Sequence, residues 1–328
     1  MSRKSLKVNA HGKPTANLAS NGLRGDLVGG SVQILKPQWS YDEQPKRVVR
    51  SCNLCGSQSF STIASIDRYG YSATSQVCLR CALVFLNPVM THAAYELFYQ
   101  EVYRPLVSFY HQRQIDARTI QSEQANYAVS LKVILEPFVQ KGEGRTLLDV
   151  GGSTGVVGHQ IAKAFGLRAI VMDPSIKELR EARELGLETR LGMLEEYDPR
   201  GERYGIVTVC QTIDHFLDIF GGLRKINSML EQEGLLYLDI VDFKRAVQAV
   251  GSIEGAIKVD HPYYLTESSA EGFLARTGFR VVLKSASTDG LHVNFVCVKD
   301  VPDPDYLPPE DSIDWLRRII SSRDKAGG

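Results

Sequence analysis

The chain has 328 residues, 43% hydrophobic and 23% charged, a composition that suits folded globular units and excludes wholesale disorder, a collagen repeat or a coiled coil. Its 38 basic and 38 acidic residues cancel, so no net field draws the whole chain to nucleic acid or to an anionic membrane. No apolar run approaches the ~18 residues that span a bilayer, and no hydrophobic signal segment follows MSRKSLKVNAHGKPTAN, which together predict a cytoplasmic protein.

Residues 1–45 are rich in Gly, Ser, Asn, Lys and Arg without helical or strand period, which predicts a mobile basic arm. Through Arg50 the chain carries nine basic and three acidic residues, so the rest is acidic by the same excess. The charges are spread rather than blocked, as in a solvated tail.

Residues 46–92 read as a small cysteine-bearing module. Cys52-Asn-Leu-Cys55 and Cys78-Leu-Arg-Cys81 are two CxxC pairs separated by 22 residues. Each pair can turn two thiolates toward one point, and two pairs supply the closed tetrahedral sulfur set of a structural Zn²⁺ site. An iron centre or a redox dithiol is the alternative. Cys210 and Cys297 lie in apolar runs and read as small buried hydrophobes.

Residues 93–140 read as helices with many aromatic rings, among them Tyr95, Phe98, Tyr99, Tyr103 and Tyr127, and form a connector or lid. Within 141–300, the apolar runs TLLDVGG, RAIVMDPS, ETRLG, GIVTVCQ, LLYLDIVD, RVVLKSAS and HVNFVCVK alternate with helical stretches. That alternation predicts an α/β fold, a doubly wound, seven-stranded Rossmann-like sheet. Residues 301–328 form a tail with one short helix, SIDWLRRII.

The turn Asp149-Val-Gly151-Gly152-Ser153-Thr154-Gly155 ends the first of these runs and opens a helix, VVGHQIAKAF. Small residues there admit a ligand to the backbone, and the helix start presents free N–H groups. Asp173 ends the next strand, where a carboxylate can accept both hydroxyls of a ribose. There is no GxxxxGK[ST], no GxGxxG and no YxxxK.

These residues resemble the class I S-adenosylmethionine-dependent methyltransferases. The blocks CNLCGS, VCLRCALVFLNPVMT, LLDVGGSTG, VMDPS, VTVCQTIDHFLD, INSMLEQEGLLYLDIVD and HPYYLTESSAEGFLARTGF resemble, in order, the bacterial sugar and polysaccharide-associated branch with an N-terminal zinc module, over about residues 50–300. The resemblance implies that the 151–155 turn holds the methionine part of S-adenosylmethionine, that Asp149 orients its ammonium group and that Asp173 binds its ribose. It further implies that Met193 and Leu194 border the adenine and that Gln211 faces the methionine and the acceptor. Three positions depart from the pattern: Ser153 and Ala82 stand where glycine is common, and Asp214-His215 replaces Glu-His.

Methyl transfer to a hydroxyl requires alignment and removal of one proton. His215 is the candidate base, with Asp214 or Asp218 orienting it, and His261 in DHPYYL is the second candidate; His111 and His292 read as structural or solvated. The expected acceptor is a small sugar-like molecule, O-methylated on a nucleotide-linked or glycan sugar, with nucleic acid not expected as a partner. A sugar C-methyltransferase, a zinc-containing ribosomal RNA methyltransferase, a catalytically inactive zinc-module binding protein and an NAD-binding protein are the alternatives.

Overall fold

The computed structural model describes residues 33–141 and 144–326. Residues 1–32, most of the predicted arm, lie outside them. Within residues 34–45, the rest of that arm, the aromatic residues pack onto the fold. Tyr41 is buried, and the Trp39 ring lies 5.0 Å from Phe98 and 5.2 Å from Tyr71, centroid to centroid. These two rings bring apolar area that the polar residues around them lack.

A short ribbon pairs β1 (Lys46–Arg47) with β5 (Val89–Met90). Beside it β2 (Phe60–Ala64), β3 (Ser75–Cys78) and β4 (Val84–Leu86) form an antiparallel sheet that carries the cysteine turns. The connector follows as α1 (His92–Leu97), a single π-helical turn (Phe98–Val102), α2 (Tyr103–His111) and α3 (Gln121–Leu135). A π turn widens the helical spacing locally, and here Tyr99 and Tyr103 both face His215, with ring centroids 5.5 and 6.1 Å away.

The large sheet is built from β6 (Thr146–Val150), β7 (Arg168–Asp173), β8 (Glu188–Leu191), β9 (Tyr204–Val209), β10 (Leu230–Val241), β12 (Phe279–Ala286) and β13 (His292–Lys299). Helices α4 (Val156–Phe165), α5 (Ile176–Glu184), α6 (Ile219–Met229), α7 (Phe243–Val250), α8 (Ile253–Ala256), α9 (Glu267–Arg276) and α10 (Asp314–Ala326) complete the described elements. The strand order is β12-β13-β10-β9-β6-β7-β8, parallel from β8 to β10, with β13 antiparallel to both neighbours. Each of the seven predicted runs overlaps one of these strands.

Successive residues of a strand face opposite sides. Leu147, Ile206 and Val296 pack with α3 and α4, while Leu148, Val207 and Leu236 pack with α6, α9 and the cysteine module in one continuous core. The two-residue strand β11 (Tyr263–Tyr264) lies between β10 and β12 in sequence yet pairs with β4, Tyr263 opposite Phe85, as the fourth strand of the module's sheet. Module and large sheet therefore share a core, and the chain between β10 and β12 supplies a strand to the module's sheet. Because β6 sits between β7 and β9, the winding reverses there and leaves a crevice at the carboxyl ends of the strands. Among the described residues no helix is long and apolar enough to cross a membrane.

Candidate active site

That crevice is a cavity of about 460 Å³ bordered by the turn after β6, Asp173, Met193, Gln211, His215 and the connector's Tyr99. Gly151 has φ +69°, and a Cβ there would lie 2.3 Å from Thr212 Cγ2; a Cβ on Gly152 would lie 2.6 Å from Asp149 Oδ2. Neither site admits a side chain without displacement, and the peptide lies directly over Asp149. The Gly151 N–H is held by Met172 O at 2.7 Å, and Gly155 opens α4.

Ser153 adopts φ +52°, which explains why glycine is common at such a position. Its hydroxyl has a use: it donates to Glu178 Oε2 at 2.7 Å, and Glu178 Oε1 accepts from Arg104 Nε at 2.8 Å. Arg104 Nη2 also reaches Ser153 Oγ at 3.3 Å. The departure from glycine thus ties α2, α5 and the turn together.

Asp149 is fully buried; its Oδ1 accepts the Thr208 hydroxyl at 2.7 Å, while Oδ2 has no hydrogen-bond partner. Burial raises its pKa to about 6. Asp173 accepts the Ser153 N–H at 3.0 Å and the Ser175 N–H at 2.8 Å, and burial raises its pKa to about 7. Met193 and Leu194 are buried in the cavity wall, where Lys225 Nζ holds the carbonyls of Leu194, Glu195 and Tyr197 at 3.0, 2.6 and 2.9 Å. Gln211 turns at φ +49° beyond β9, its N–H donating to Asp239 Oδ1 at 2.7 Å.

His215 borders the same cavity. Its Nδ1 lies 3.0 Å from the Asp260 carbonyl and 2.8 Å from the Tyr99 hydroxyl, which itself donates to that carbonyl at 2.9 Å. A carbonyl only accepts, so Nδ1 carries the proton and Nε2 keeps its lone pair. Burial and the charge of His261 hold the His215 pKa down to about 4.

His261 packs edge to face on His215, its Nδ1 2.9 Å from Asp214 Oδ2 and its Nε2 3.2 Å from Asp260 Oδ2. Burial works to lower its pKa, but Asp214 and Asp260 outweigh it and raise it. Burial likewise works to raise both carboxylates, and His261 holds them below the usual range. The orienting roles drawn from sequence change accordingly. Asp214 pairs with His261 rather than His215, and Asp218 caps α6, accepting the Gly221 N–H at 2.9 Å and Asn53 Nδ2 at 2.7 Å. Tyr99 and the Asp260 carbonyl orient His215. Tyr99, Arg104, Glu178 and Asp260 had no motif to mark them; only the run of aromatics and the Asp-His pair in DHPYYL pointed nearby.

Cys52, Cys55, Cys78 and Cys81 are buried with all four sulfurs within 4.8 Å of one another, Cys52–Cys81 and Cys55–Cys78 at 3.5 Å. Tetrahedral Zn–S bonds of ~2.3 Å place sulfurs about 3.8 Å apart, so the cluster fits Zn²⁺ without an open position. Ala82 follows the second pair at φ +62°, the conformation glycine would supply.

Sequence comparison decides the family. The family described as "Methyltransferase domain" matches residues 121–284, half of the chain. The chain belongs to this family. The methyltransferase domain is of the class I, S-adenosylmethionine-dependent kind. Its curated relatives include the ubiquinone biosynthesis O-methyltransferase of Bradyrhizobium diazoefficiens, 28% identical over 105 residues, 30% of this chain and 41% of that protein. The protein of the same name from Rhodopseudomonas palustris is 29% identical over 100 residues, 29% of this chain and 39% of that protein. The chain thus spans about two-fifths of the length of the curated relatives it matches. Among solved structures, the magnesium protoporphyrin IX methyltransferase of Synechocystis, with bound S-adenosylhomocysteine, aligns with 57% of this chain and 89% of its own at TM-score 0.46 and 16% identity.

Proposed function

We propose that this methyltransferase-domain protein moves a methyl group from S-adenosylmethionine to a hydroxyl of a small, ring-bearing, sugar-like acceptor, with His215 as general base. The observation that carries the reading is that His215 lines the same cavity as the glycine turn and Asp173, with its Nδ1 held by the Asp260 carbonyl. The cavity also fits the donor. An unpartnered, buried Asp149 oxygen suits a cationic amino-acid head, the turn leaves room only for backbone, and Asp173 keeps acceptor capacity for ribose hydroxyls. Met193 and Leu194 supply an apolar wall for the base, and Gln211 borders the same cavity.

When bound, S-adenosylmethionine supplies an electrophilic methyl group on a sulfonium. The chain's own residues align and deprotonate the nucleophile. His215 Nε2 takes the hydroxyl proton as the oxygen attacks; the new C–O bond forms as the C–S bond breaks, and the pair stays on sulfur. His261, fixed between Asp214 and Asp260 with Lys258 Nζ 3.4 Å from its Nε2, packs against His215 and opposes its protonation before the acceptor arrives. Tyr99, Tyr103 and Phe216 give the acceptor side aromatic walls. The four thiolates hold a structural Zn²⁺.

A phenolic acceptor is the second reading, favoured by the relatives named for ubiquinone biosynthesis. Incubation with methyl-labelled S-adenosylmethionine and a panel of nucleotide sugars and catechols separates the two. Label in the sugars supports the first reading, label in the catechols the second, and label in neither overturns both.

A further inference from the structure

The segment 255–264 is held from two sides. On the module side, Arg68 N–H donates to Ile257 O at 3.0 Å, and its guanidinium grips Gly255 O at 3.0 and 2.8 Å. Leu86 N–H donates to Pro262 O at 2.9 Å, just before β11 joins β4. Asp67 makes the central joint: Oδ2 accepts the Val259 N–H at 2.9 Å, and Oδ1 accepts the Tyr69 and Tyr71 N–H groups at 3.0 and 2.9 Å. The connector adds Tyr95, whose hydroxyl donates to Val259 O at 3.0 Å. On the other side the same segment presents the Asp260 carbonyl to His215 and carries His261 to Asp214.

We infer that residues 255–264 are a strap through which the cysteine module sets the position of the His215–His261 pair, with Asp67 as its positioning residue. A buried carboxylate is costly unless its oxygens are filled, and three amides fill this one, so the turn 67–71 and the strap are locked as one piece. The module is then part of the acceptor half of the site, while the glycine turn and Asp173 rest on the large sheet and on the Arg104–Glu178 pair of α2 and α5. The use of the strap rests on His215 as base; its geometry does not.

The test needs no acceptor. In the full-length, metal-loaded protein, long-range ¹⁵N NMR should show wild-type His215 neutral with its proton on Nδ1 and His261 protonated. Asp67→Ala should turn the His215 signals into a tautomer mixture and speed amide exchange across 257–262 by about tenfold or more. Its affinity for S-adenosylhomocysteine should stay within about threefold, because the glycine turn is untouched. Leu131→Ala, in the core between α3 and α4 on the other face of the large sheet, should lower Tm and leave both histidine signals in place. If Asp67→Ala does not fold, Tyr95→Phe carries the same criteria with an isosteric change. Wild-type histidine signals and wild-type exchange in a folded Asp67→Ala, or in Tyr95→Phe when that variant stands in, overturn the strap. A wild-type protein that binds no S-adenosylhomocysteine overturns the methyl-transfer reading and leaves the strap standing.

Discussion

The rings of His215 and His261 meet edge to face with centroids 4.4 Å apart, and their surroundings shift their pKa values in opposite directions. His261 lies between two carboxylates, whereas His215 faces a carbonyl, a phenol and the charge of its neighbour. With its pKa lowered to about 4, His215 is neutral over the whole physiological range. At saturating donor, kcat should therefore rise through about pH 4–5 and be level by about pH 6, with no inflection at the ordinary histidine value of ~6.5. His215→Ala should lower kcat by ~10² to 10⁴-fold and leave the affinity for S-adenosylhomocysteine nearly intact. An inflection near the ordinary value, or unchanged turnover, removes His215 from the role.

Donor binding should release protons. Burial raises Asp149 to about 6 and Asp173 to about 7, so each holds a proton in the free protein well above its unfolded range. Acids raised in this way favour the folded state below the unfolded value of ~3.9, and that contribution is lost as pH rises through about 6 to 7. A cationic ligand favours the ionised carboxylates, so affinity for S-adenosylmethionine should strengthen between about pH 5 and pH 8. Calorimetry at about pH 6.5 in buffers of different ionisation enthalpy reads the released protons directly; heats independent of buffer count against this account.

Ser153 separates strain from function. Its left-handed backbone costs about 1 kcal/mol, which Ser153→Gly relieves and Ser153→Ala keeps, while both lose the hydroxyl to Glu178. Thermal denaturation should find the alanine variant less stable than the glycine variant by about that amount. Glu178→Ala leaves Arg104 without its carboxylate and should cost on the order of 2 kcal/mol. Equal stabilities for the two Ser153 variants would show that the turn relaxes freely.

Cys52→Ser or Cys78→Ser should abolish stoichiometric zinc and, with it, the fold of the module, since the site has no spare ligand. Metal analysis beside circular dichroism checks both. Retained zinc in a misfolded variant contradicts the ligand assignment.

The large sheet was legible because its central strands β6, β7 and β9 are buried on both faces and read as apolar runs such as GIVTVCQ. Cysteine spacing and the glycine turn were legible because metal geometry and close backbone approach admit few residue types. The acceptor side was not. Tyr263 and Tyr264 sit among methyltransferase-domain residues in sequence, yet they complete the cysteine module's sheet, a long-range pairing with no local signal. The carbonyl of Asp260 orients His215, and a backbone atom leaves no trace in side-chain patterns. Asp214 adjoins His215 in the chain but turns to His261, so adjacency alone suggested the wrong pair. Trp39 and Tyr41 were lost in a stretch whose average composition is that of a tail.

The central claim is that the cavity over the glycine turn takes the methyl donor, and a calorimetric titration with S-adenosylhomocysteine tests it most directly. One site per chain is expected in the wild type, with binding lost in Gly152→Ala, where the added methyl falls 2.6 Å from Asp149 Oδ2. Absence of binding to the wild type at millimolar ligand, or unchanged binding to Gly152→Ala, would contradict it.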